Sequence, residues 1–286
     1  MASSAAPPPL DDRPLAPGLY VVATPIGNLR DITLRALDVL AQADLVLAED
    51  TRVTAKLLRA FGLSAKLERY DEHGAERTRP KALAALAEGA RVALVSDAGT
   101  PLISDPGYRL VREAWEQGAT VYPIPGASSV MAALSAAGLA TDRFLFAGFP
   151  PPKSGARRTF FEGLAETRAT LVFFEGGSRL AASLADMAAV FGPREAVVAR
   201  ELTKLHETIL RGPLPDLADD PRFEAPRGEL VVLIGPGEAR EATEAEVDAA
   251  LTEALSRLRP AEAAAEVAKA FGLKRRDLYQ RALARR

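Results

Sequence analysis

The segment that decides the fold is Val92-Ala93-Leu94-Val95-Ser96-Asp97-Ala98-Gly99-Thr100-Pro101-Leu102-Ile103-Ser104-Asp105-Pro106-Gly107. It begins with four apolar residues, which predict a buried strand, and continues with a loop of residues that favour turns. A helix is predicted directly after it, from Tyr108 to Gln117. A strand, a polar loop and a helix in this order are the repeating unit of a parallel α/β sheet.

The same order recurs along the chain on both sides of this segment. The further predicted strands are Leu19–Ala23, Leu45–Ala48, Thr120–Tyr122, Phe144–Phe146, Thr170–Phe174, Ala196–Ala199 and Leu230–Ile234. The further predicted helices of this part are about Thr33–Ala43, Val53–Phe61, Arg79–Glu88, Arg157–Glu166 and Leu180–Phe191. Strands that alternate with helices predict an α/β fold with a mostly parallel sheet.

The length of 286 residues fits about two domains. We expect a disordered Pro-rich tail at residues 1–17, an N-terminal α/β domain at 18–123, a C-terminal α/β domain at 124–237 and a helical module at 243–286. Residues 1–17 lack a basic region followed by an apolar core, and no apolar run approaches the roughly 18–20 residues of a membrane span. We therefore expect a cytoplasmic protein without a membrane partner.

The composition excludes several kinds of chemistry. The chain has no cysteine, which excludes disulfides, zinc–thiolate sites and a cysteine nucleophile, and it has only two histidines. The net charge of −2 is unevenly spread, because residues 257–286 carry nine basic and three acidic side chains whereas the preceding residues carry 27 and 35. This asymmetry indicates an anionic partner, and the alternative is a solvated helix surface.

Four loops that follow predicted strands are rich in Gly, Pro, Ser, Thr and Asp. They are Thr24–Asp31, Glu49–Arg52, Ser96–Gly107 and Pro125–Ser129. Each alone is a routine turn, but ligands of open α/β sheets bind beyond the carboxyl ends of the strands, so four such loops at one edge predict a cleft there. The first loop has one glycine where a dinucleotide fingerprint needs three, and no P-loop motif occurs.

The C-terminal segment Arg259–Gln280 has the pattern of a helix-turn-helix, with a glycine in the turn. Lys274, Arg275 and Arg276 stand at the start of the second helix, where such motifs present side chains to nucleic acid. The alternative is a helical hairpin that serves dimerisation or packing.

Five segments together resemble the RsmI family, the 16S ribosomal RNA ribose 2′-O-methyltransferases of the tetrapyrrole methylase-like, class III group of S-adenosylmethionine-dependent enzymes. They stand in the family's order and spacing, and they are Leu19–Leu29, Ala48–Arg52, Ser96–Gly107, Pro125–Ser129 and Arg200–Lys204. The helix-turn-helix tail also resembles the family's extension. Where the family usually has aromatic-Glu-Ser-x-His-Arg, this chain has Phe174–Arg179 and no histidine base.

The resemblance implies two α/β domains of the tetrapyrrole methylase type that share one cleft, with a small helix-turn-helix module after them. It implies S-adenosylmethionine as the cofactor in that cleft and no metal. The implied substrate is 16S rRNA within the small ribosomal subunit, methylated on the ribose 2′-oxygen of a decoding-centre cytidine. It also implies a homodimer.

The resemblance further assigns site residues. The implied cofactor-binding residues are Pro25, Ile26, Gly27, Asn28, Asp97, Ala98, Gly99, Thr100, Ser128, Ser129 and Thr203. A ribose hydroxyl is a poor nucleophile, so a base or a cation near it would assist, and the candidates are Glu49, Asp50, Arg52, Asp97, Glu201 and Lys204. We expect RNA contacts from Arg30, Lys274, Arg275 and Arg276.

Two other functions stay open on the sequence. One is an S-adenosylmethionine-dependent methyltransferase that acts on a tetrapyrrole or another small molecule, against which the basic tail and the Thr24–Leu29 loop argue. The other is a helix-turn-helix regulator whose α/β body senses a metabolite, which predicts sequence-specific binding to duplex DNA.

Overall fold

The computed structural model describes residues 10–72, 74–223, 228–237 and 244–284. The chain divides into two units, Met1–Pro236 and Gly237–Arg286. The larger unit contains two β-sheets, and the described part of the smaller unit is helical. No helix in the described ranges is both long and apolar enough to cross a membrane.

The first sheet of the larger unit is parallel. Its strand order is β3-β2-β4-β1-β5, and its strands are β1 (Gly18–Val22), β2 (Leu45–Ala48), β3 (Leu67–Arg69), β4 (Arg91–Val95) and β5 (Val121–Ile124). This confirms the predicted parallel arrangement around the Val92–Val95 strand. The sequence analysis missed β3, because this edge strand has three residues and no buried apolar run.

Helices cover both faces of the first sheet. They are α1 (Leu34–Gln42) and α2 (Thr51–Ala60) on one face, and α3 (Ala75–Ala87) and α4 (Tyr108–Glu116) on the other. Each face of the sheet packs against its helices as a separate apolar core, and alternate residues of β4 belong to the two cores. Val92 and Leu94 face α3 and α4, while Ala93 and Val95 face α1 and α2. Helix α3 begins four residues before its predicted start and contains Pro80 in its second turn.

Two helix caps follow directly from the sequence. Asp31 and Thr33 are both N-cap candidates by residue type; Thr33 precedes α1, and its Oγ1 accepts a hydrogen bond from the Ala36 N–H at 3.2 Å, so Thr33 is the cap. Asp50 precedes α2 and accepts from the Arg52 N–H at 2.8 Å. Asp50, which follows the end of β2, therefore serves as the N-cap of α2.

The second sheet is mixed. Its order is β6-β7-β10-β8-β9, with β6 (Phe144–Gly148), β7 (Thr170–Gly176), β8 (Glu195–Arg200), β9 (Thr208–Pro213) and β10 (Glu229–Ile234). Only the β6–β7 pairing among these described strands is parallel, so the second sheet differs from the predicted mostly parallel arrangement. An apolar run does not encode strand direction. The seven residues between β8 and β9 are also too few for a parallel crossover, which needs about a dozen.

Helix α5 (Ser129–Ala137) connects the two sheets. Its buried residues Val130, Ala133 and Leu134 pack against the second sheet at Val172, Val197 and Leu233, together with Ile26 from the loop after β1, as one apolar cluster. Burying each large aliphatic side chain contributes about 1.5–3 kcal/mol, so this cluster holds the two sheets together.

The opposite face of the second sheet carries three helices, α6 (Ser154–Glu162), α7 (Gly177–Phe191) and α8 (Leu214–Ala218). Phe161, Phe173 and Phe191 are buried in this core, with ring centroids 5.5–6.4 Å apart. The aromatic contacts fix α6 and α7 against strand β7, which contains Phe173.

The smaller unit contains α9 (Glu244–Arg257), α10 (Pro260–Phe271) and α11 (Arg275–Leu283) in its described part. Val247, Leu251, Val267 and Leu278 are buried in its core. The turn between α10 and α11 has Gly272 at φ 67°, a left-handed conformation that glycine adopts without strain. This confirms the helix-turn-helix predicted from the sequence.

Some residues of the predicted N-terminal tail and of the predicted helical module, and the segment before that module, lie outside the described residues. They are residues 1–9, 238–243, 285 and 286. In the described part of the predicted disordered tail, the Asp11 N–H bonds to Asp38 at 2.9 Å and the Leu15 N–H bonds to Gln42 at 3.2 Å. These residues therefore pack on α1, because the apolar Leu15 reaches the core beside it. The boundary expected near residue 123 stays a prediction.

A buried ion pair joins α6 to α7. The distance between Arg157 Nη2 and Asp186 Oδ2 is 2.6 Å, and the two side chains are 5% and 11% exposed. The Arg157 guanidinium also donates hydrogen bonds to the Pro152 and Ala182 carbonyls. Asp186→Ala leaves the guanidinium buried and uncompensated, so we expect the free energy of unfolding to fall by about 3–5 kcal/mol in urea denaturation.

The control for Asp186→Ala is Glu195→Ala, which breaks a half-exposed ion pair with Arg211. We expect this variant to lose less than about 1 kcal/mol. Equal losses in the two variants would show that burial does not set the strength of the Arg157–Asp186 pair.

Candidate active site

The loops that follow the parallel strands are tied to one another by hydrogen bonds. Thr24 and Gly99 exchange two backbone hydrogen bonds of 2.8 and 3.0 Å, which join the loop after β1 to the loop after β4. Thr100 Oγ1 donates to the Ala127 carbonyl at 3.1 Å, and Asp97 Oδ1 accepts from the Asp50 N–H at 2.9 Å. All four loops predicted from the sequence therefore meet at one edge.

A pocket of about 360 Å³ opens at this edge and is called the main pocket here. It is lined by the loops of the first sheet and by strand ends of the second sheet. The lining residues are Ile26, Glu49, Asp97, Ala98, Gly99, Thr100, Ile103, Ser104, Asp105, Ser128, Ser129, Phe149, Phe174, Glu175, Gly176, Ala199, Glu201, Leu202, Lys204, Glu229, Leu230 and Val231. Its volume is within the range of sites that hold small ligands and cofactors.

The segment 201–204 after β8 closes one side of this edge against the loop after β1. The Asn28 N–H donates to Thr203 Oγ1 at 3.1 Å. A Cβ on Gly27 would collide with Lys204 Cγ and lie 3.0 Å from Thr203 Oγ1. Glycine at position 27 is therefore what allows the two segments to touch.

Backbone strain is concentrated beside the main pocket. In the part of the chain that the structure describes, the non-glycine residues with positive φ are Leu102, Ser104, Glu201 and Thr203, at 51–73°. Such conformations cost on the order of 1–3 kcal/mol each and persist only where the surroundings enforce them. Both strained segments contribute lining residues, so the strain shapes the pocket.

Three carboxyl groups of the main pocket have raised pKa values. Burial raises the pKa of Asp105 to about 6, with a further contribution from the nearby Glu49 charge. Burial also raises the pKa values of Glu49 and Asp97. Acidic groups gathered in a partly buried wall favour a cationic ligand, and a carboxyl group that titrates near neutrality suits general base catalysis.

The other acidic candidates are held as ions by basic partners. The Arg52 guanidinium, 2.6 Å from Asp50, lowers the pKa of that carboxyl well below its ordinary value. Lys204 lies 2.9 Å from Glu201 and lowers its pKa. Both Glu201 and Lys204 line the main pocket, whereas Asp50 and Arg52 do not.

The structure brings together most of the site residues expected from the sequence. In the main pocket lie Ile26, Glu49, Asp97, Ala98, Gly99, Thr100, Ser128, Ser129, Glu201 and Lys204. Gly27, Asn28 and Thr203 form the contact beside it, and Pro25 lines a second, smaller cavity. Arg30 is exposed near that cavity, and Lys274, Arg275 and Arg276 are exposed in the smaller unit.

Several lining residues are not among those expected from the sequence. Asp105 belongs to the Ser96–Gly107 loop, and its position in a loop after a strand is a signal that the expected set does not include. Glu229, Leu230 and Val231 carry no such signal, because they begin a strand, whereas ligands of open α/β sheets are expected beyond strand ends. They reach the pocket because β10 is antiparallel to β7 and β8, so its start lies beside their ends.

Two family models match the chain. The model described as "Tetrapyrrole (Corrin/Porphyrin) Methylases" matches residues 18–218. The model described as "RsmI C-terminal HTH domain" matches residues 241–286. Together they cover both units.

Several curated relatives are similar over nearly the whole chain, and each carries the name "Ribosomal RNA small subunit methyltransferase I". The relative from Mesorhizobium japonicum is 51% identical over 95% of this chain and 93% of its own length. The relative from Erythrobacter litoralis is 53% identical over 94% of this chain and 96% of its own length. The relative from Escherichia coli O157:H7 is 46% identical over 93% of this chain and 94% of its own length.

Solved structures of lower identity show the same fold. A cobalt precorrin-4 methyltransferase has a TM-score of 0.55 at 22% identity, over 76% of this chain and 94% of that one. A diphthine synthase has a TM-score of 0.58 at 16% identity, over 76% of this chain and 89% of that one.

The raised pKa of Asp105 predicts a pH-dependent stability. Because the folded state holds the Asp105 proton up to pH about 6 whereas the unfolded carboxyl releases it near 3.8, stability from this group is lost as pH rises from about 4 through 6. Asparagine does not titrate, so we expect the Asp105→Asn variant to lack the decrease of about 2–3 kcal/mol in the free energy of unfolding that this group causes across the window, measured by urea denaturation at several pH values.

Asp44→Asn is the control for the Asp105 experiment. Its partner Arg91 lowers the pKa of Asp44 to about 2 in the folded state, so Asp44 is ionised in both the folded and the unfolded state above about pH 5. Its replacement therefore adds a nearly constant difference in stability from about pH 5 to 7, the range in which the Asp105 effect is still changing. An identical pH dependence in the Asp105→Asn variant and the unsubstituted protein would contradict the assignment of a raised pKa to Asp105.

Proposed function

Because the chain belongs to the RsmI family of the tetrapyrrole methylases, we propose that it transfers a methyl group from S-adenosylmethionine to the ribose 2′-oxygen of a decoding-centre cytidine in 16S rRNA. It is a methyltransferase by its family, and rRNA is the substrate class that its relatives' names give. The observation that carries the proposal is similarity over more than 90% of both chains, including the C-terminal helices.

The donor set of the main pocket fits S-adenosylmethionine. This cofactor is a cation with an apolar purine ring, and when bound it supplies an activated sulfonium methyl. Glu49, Asp97 and Asp105 provide the negative charge, while Phe149 and Phe174 provide an apolar wall, with ring centroids 5.4 Å apart. Gly99 has φ 90°, and a Cβ there would lie 3.2 Å from Ile26, so glycine at this position allows the loop after β4 to pass close to Ile26 at the pocket wall.

The residues of the chain serve the transfer mainly by alignment, which reduces the entropic cost of bringing two reactants together. A carboxylate of the main pocket accepts the proton of the ribose hydroxyl. Glu49 and Asp105 suit this step because their pKa values are raised, whereas Asp50 and Glu201 are held as ions by basic partners.

The Lys204 ammonium group stabilises the charge that develops on the ribose oxygen. It lines the main pocket between Glu201 at 2.9 Å and Glu229 at 3.7 Å, and its side chain is 32% exposed. Arg52 is 86% exposed and outside the pocket, so its part is a phosphate contact on the surface.

RNA contacts from the smaller unit add affinity that does not depend on the sequence of the RNA. Lys274, Arg275 and Arg276 are exposed around the start of α11, and Arg30 is exposed on the larger unit. The family resemblance also supports action on the assembled small subunit in the cytoplasm, by a homodimer.

The direct test is methyl transfer from labelled S-adenosylmethionine to purified small ribosomal subunits that lack the modification. We expect one methyl group per subunit, located on a ribose by nuclease digestion and mass spectrometry, and calorimetric binding of the cofactor to the protein alone. Transfer to a corrinoid precursor in place of subunits would identify the protein as a small-molecule methyltransferase.

The combined variant Lys274→Gln, Arg275→Gln and Arg276→Gln tests the RNA contacts. Each lost phosphate contact reduces the slope of log affinity against log salt by about 0.7–0.9, so we expect a slope smaller by about 2–3 and weaker binding to subunits. Cofactor binding is expected to stay unchanged, because the replaced residues lie in the smaller unit.

A matched control replaces three exposed basic residues of the larger unit, Arg59, Lys66 and Arg112, with glutamine. We expect a smaller change in the salt slope from this control. If the control changed the slope as much as the α11 variant, general charge rather than α11 would explain the binding.

A further inference from the structure

A second cavity of about 250 Å³ lies beside the main pocket and is called the side pocket here. It is lined by the loop after β1, the first turns of α2 and the end of β4. The lining residues are Thr24, Pro25, Leu29, Val53, Thr54, Lys56, Leu57, Ser96 and Asp97. Asp97 lines both pockets, so the two cavities share a wall.

The walls of the side pocket include two large apolar side chains that are partly exposed to solvent. Leu29 is 48% exposed and Val53 is 38% exposed. The cavity is smaller than the roughly 300–1,000 Å³ of a pocket for a whole cofactor, so it suits a single ring. Apolar surfaces of this kind contact the faces of nucleobases that have left their stack.

The shared carboxylate gives the side pocket a polar group for recognition. Asp97 Oδ1 accepts from the Asp50 N–H, and within the described residues no hydrogen bond is recorded to Oδ2. An aspartate carboxylate accepts a hydrogen bond from the exocyclic amine of cytosine, whereas uracil presents a carbonyl oxygen at the same place.

Two exposed basic residues belong to the side pocket or to the segment that lines it. Lys56 is exposed and lines the cavity, and Arg30 is exposed directly after Leu29. In the described ranges, neither side chain has a recorded ion pair. Exposed cations of this kind favour contact with nucleic-acid phosphates, which every nucleotide carries beside its base.

We propose that the side pocket holds the base of the target cytidine after it has turned out of the RNA, with the ring against Leu29 and Val53 and its amine at Asp97. The shared wall then places the ribose of the same nucleotide at the main pocket, where the methyl donor binds. This inference rests on the proposed function and adds to it the site that selects the nucleotide.

The first test compares Val53→Glu with Ile209→Glu. Ile209 is a matched control, since it is 37% exposed and lies on the edge strand β9, away from both pockets. Single-turnover methyl transfer to small subunits is measured together with calorimetric binding of S-adenosylmethionine. We expect Val53→Glu to lower the second-order rate constant of transfer to subunits by tenfold or more with cofactor affinity unchanged, because the introduced carboxylate would lose its water when the base enters the cavity.

The second test uses subunits in which the target cytidine is replaced by uridine. We expect the unsubstituted protein to prefer cytidine at least tenfold and Asp97→Asn to reduce that ratio about tenfold, because an amide donates to the uracil oxygen. A merely structural role of Asp97 would lower both rates and leave their ratio unchanged.

Three results would overturn the inference. They are equal rates for Val53→Glu and Ile209→Glu, an unchanged cytidine-to-uridine ratio in Asp97→Asn, and loss of cofactor binding in Val53→Glu, which would make the side pocket part of the cofactor site. Failure of the proposed function is a different result, because the unsubstituted protein would then transfer no methyl group to subunits.

Discussion

The contact of α5 with the second sheet is the constraint on which the site depends. Its apolar face and Ile26 pack as one cluster against Val172, Val197 and Leu233. Without this cluster, the loops of the first sheet would have no fixed opposite wall, because the Asn28–Thr203 hydrogen bond is worth only about 1 kcal/mol. The apolar contact sets the distance between the sheets, and the polar contacts adjust the edge of the pocket.

The polar surroundings divide the acidic residues into two groups with different chemistry. Asp50 and Glu201 have basic neighbours close at hand and keep their charge, which makes them weak bases. Asp105 and Glu49 face other carboxyl groups in a partly buried wall, and their pKa values rise. One short stretch of chain thus holds a helix cap at Asp50 and a candidate proton acceptor beside it at Glu49.

Much of the first sheet and of its loops was predictable because each element is local. The Val92–Val95 run, the Thr33 cap and the turn at Gly272 follow from neighbouring residues. The edge strands β3 and β9 were missed because neither contains a continuous run of buried apolar residues. Helix α5 was missed because its short apolar run has no periodicity that separates a helix from a strand.

The sequence by itself determined most of the strands and helices in their order, the four loops of the site edge and the basic helix-turn-helix in the C-terminal segment. Only the tertiary structure decided the direction of β10, which brings Glu229–Val231 into the main pocket. It also decided which carboxyl groups lie together and how far each is buried. These properties depend on distances between segments far apart in the chain, and no local pattern of residues encodes such distances.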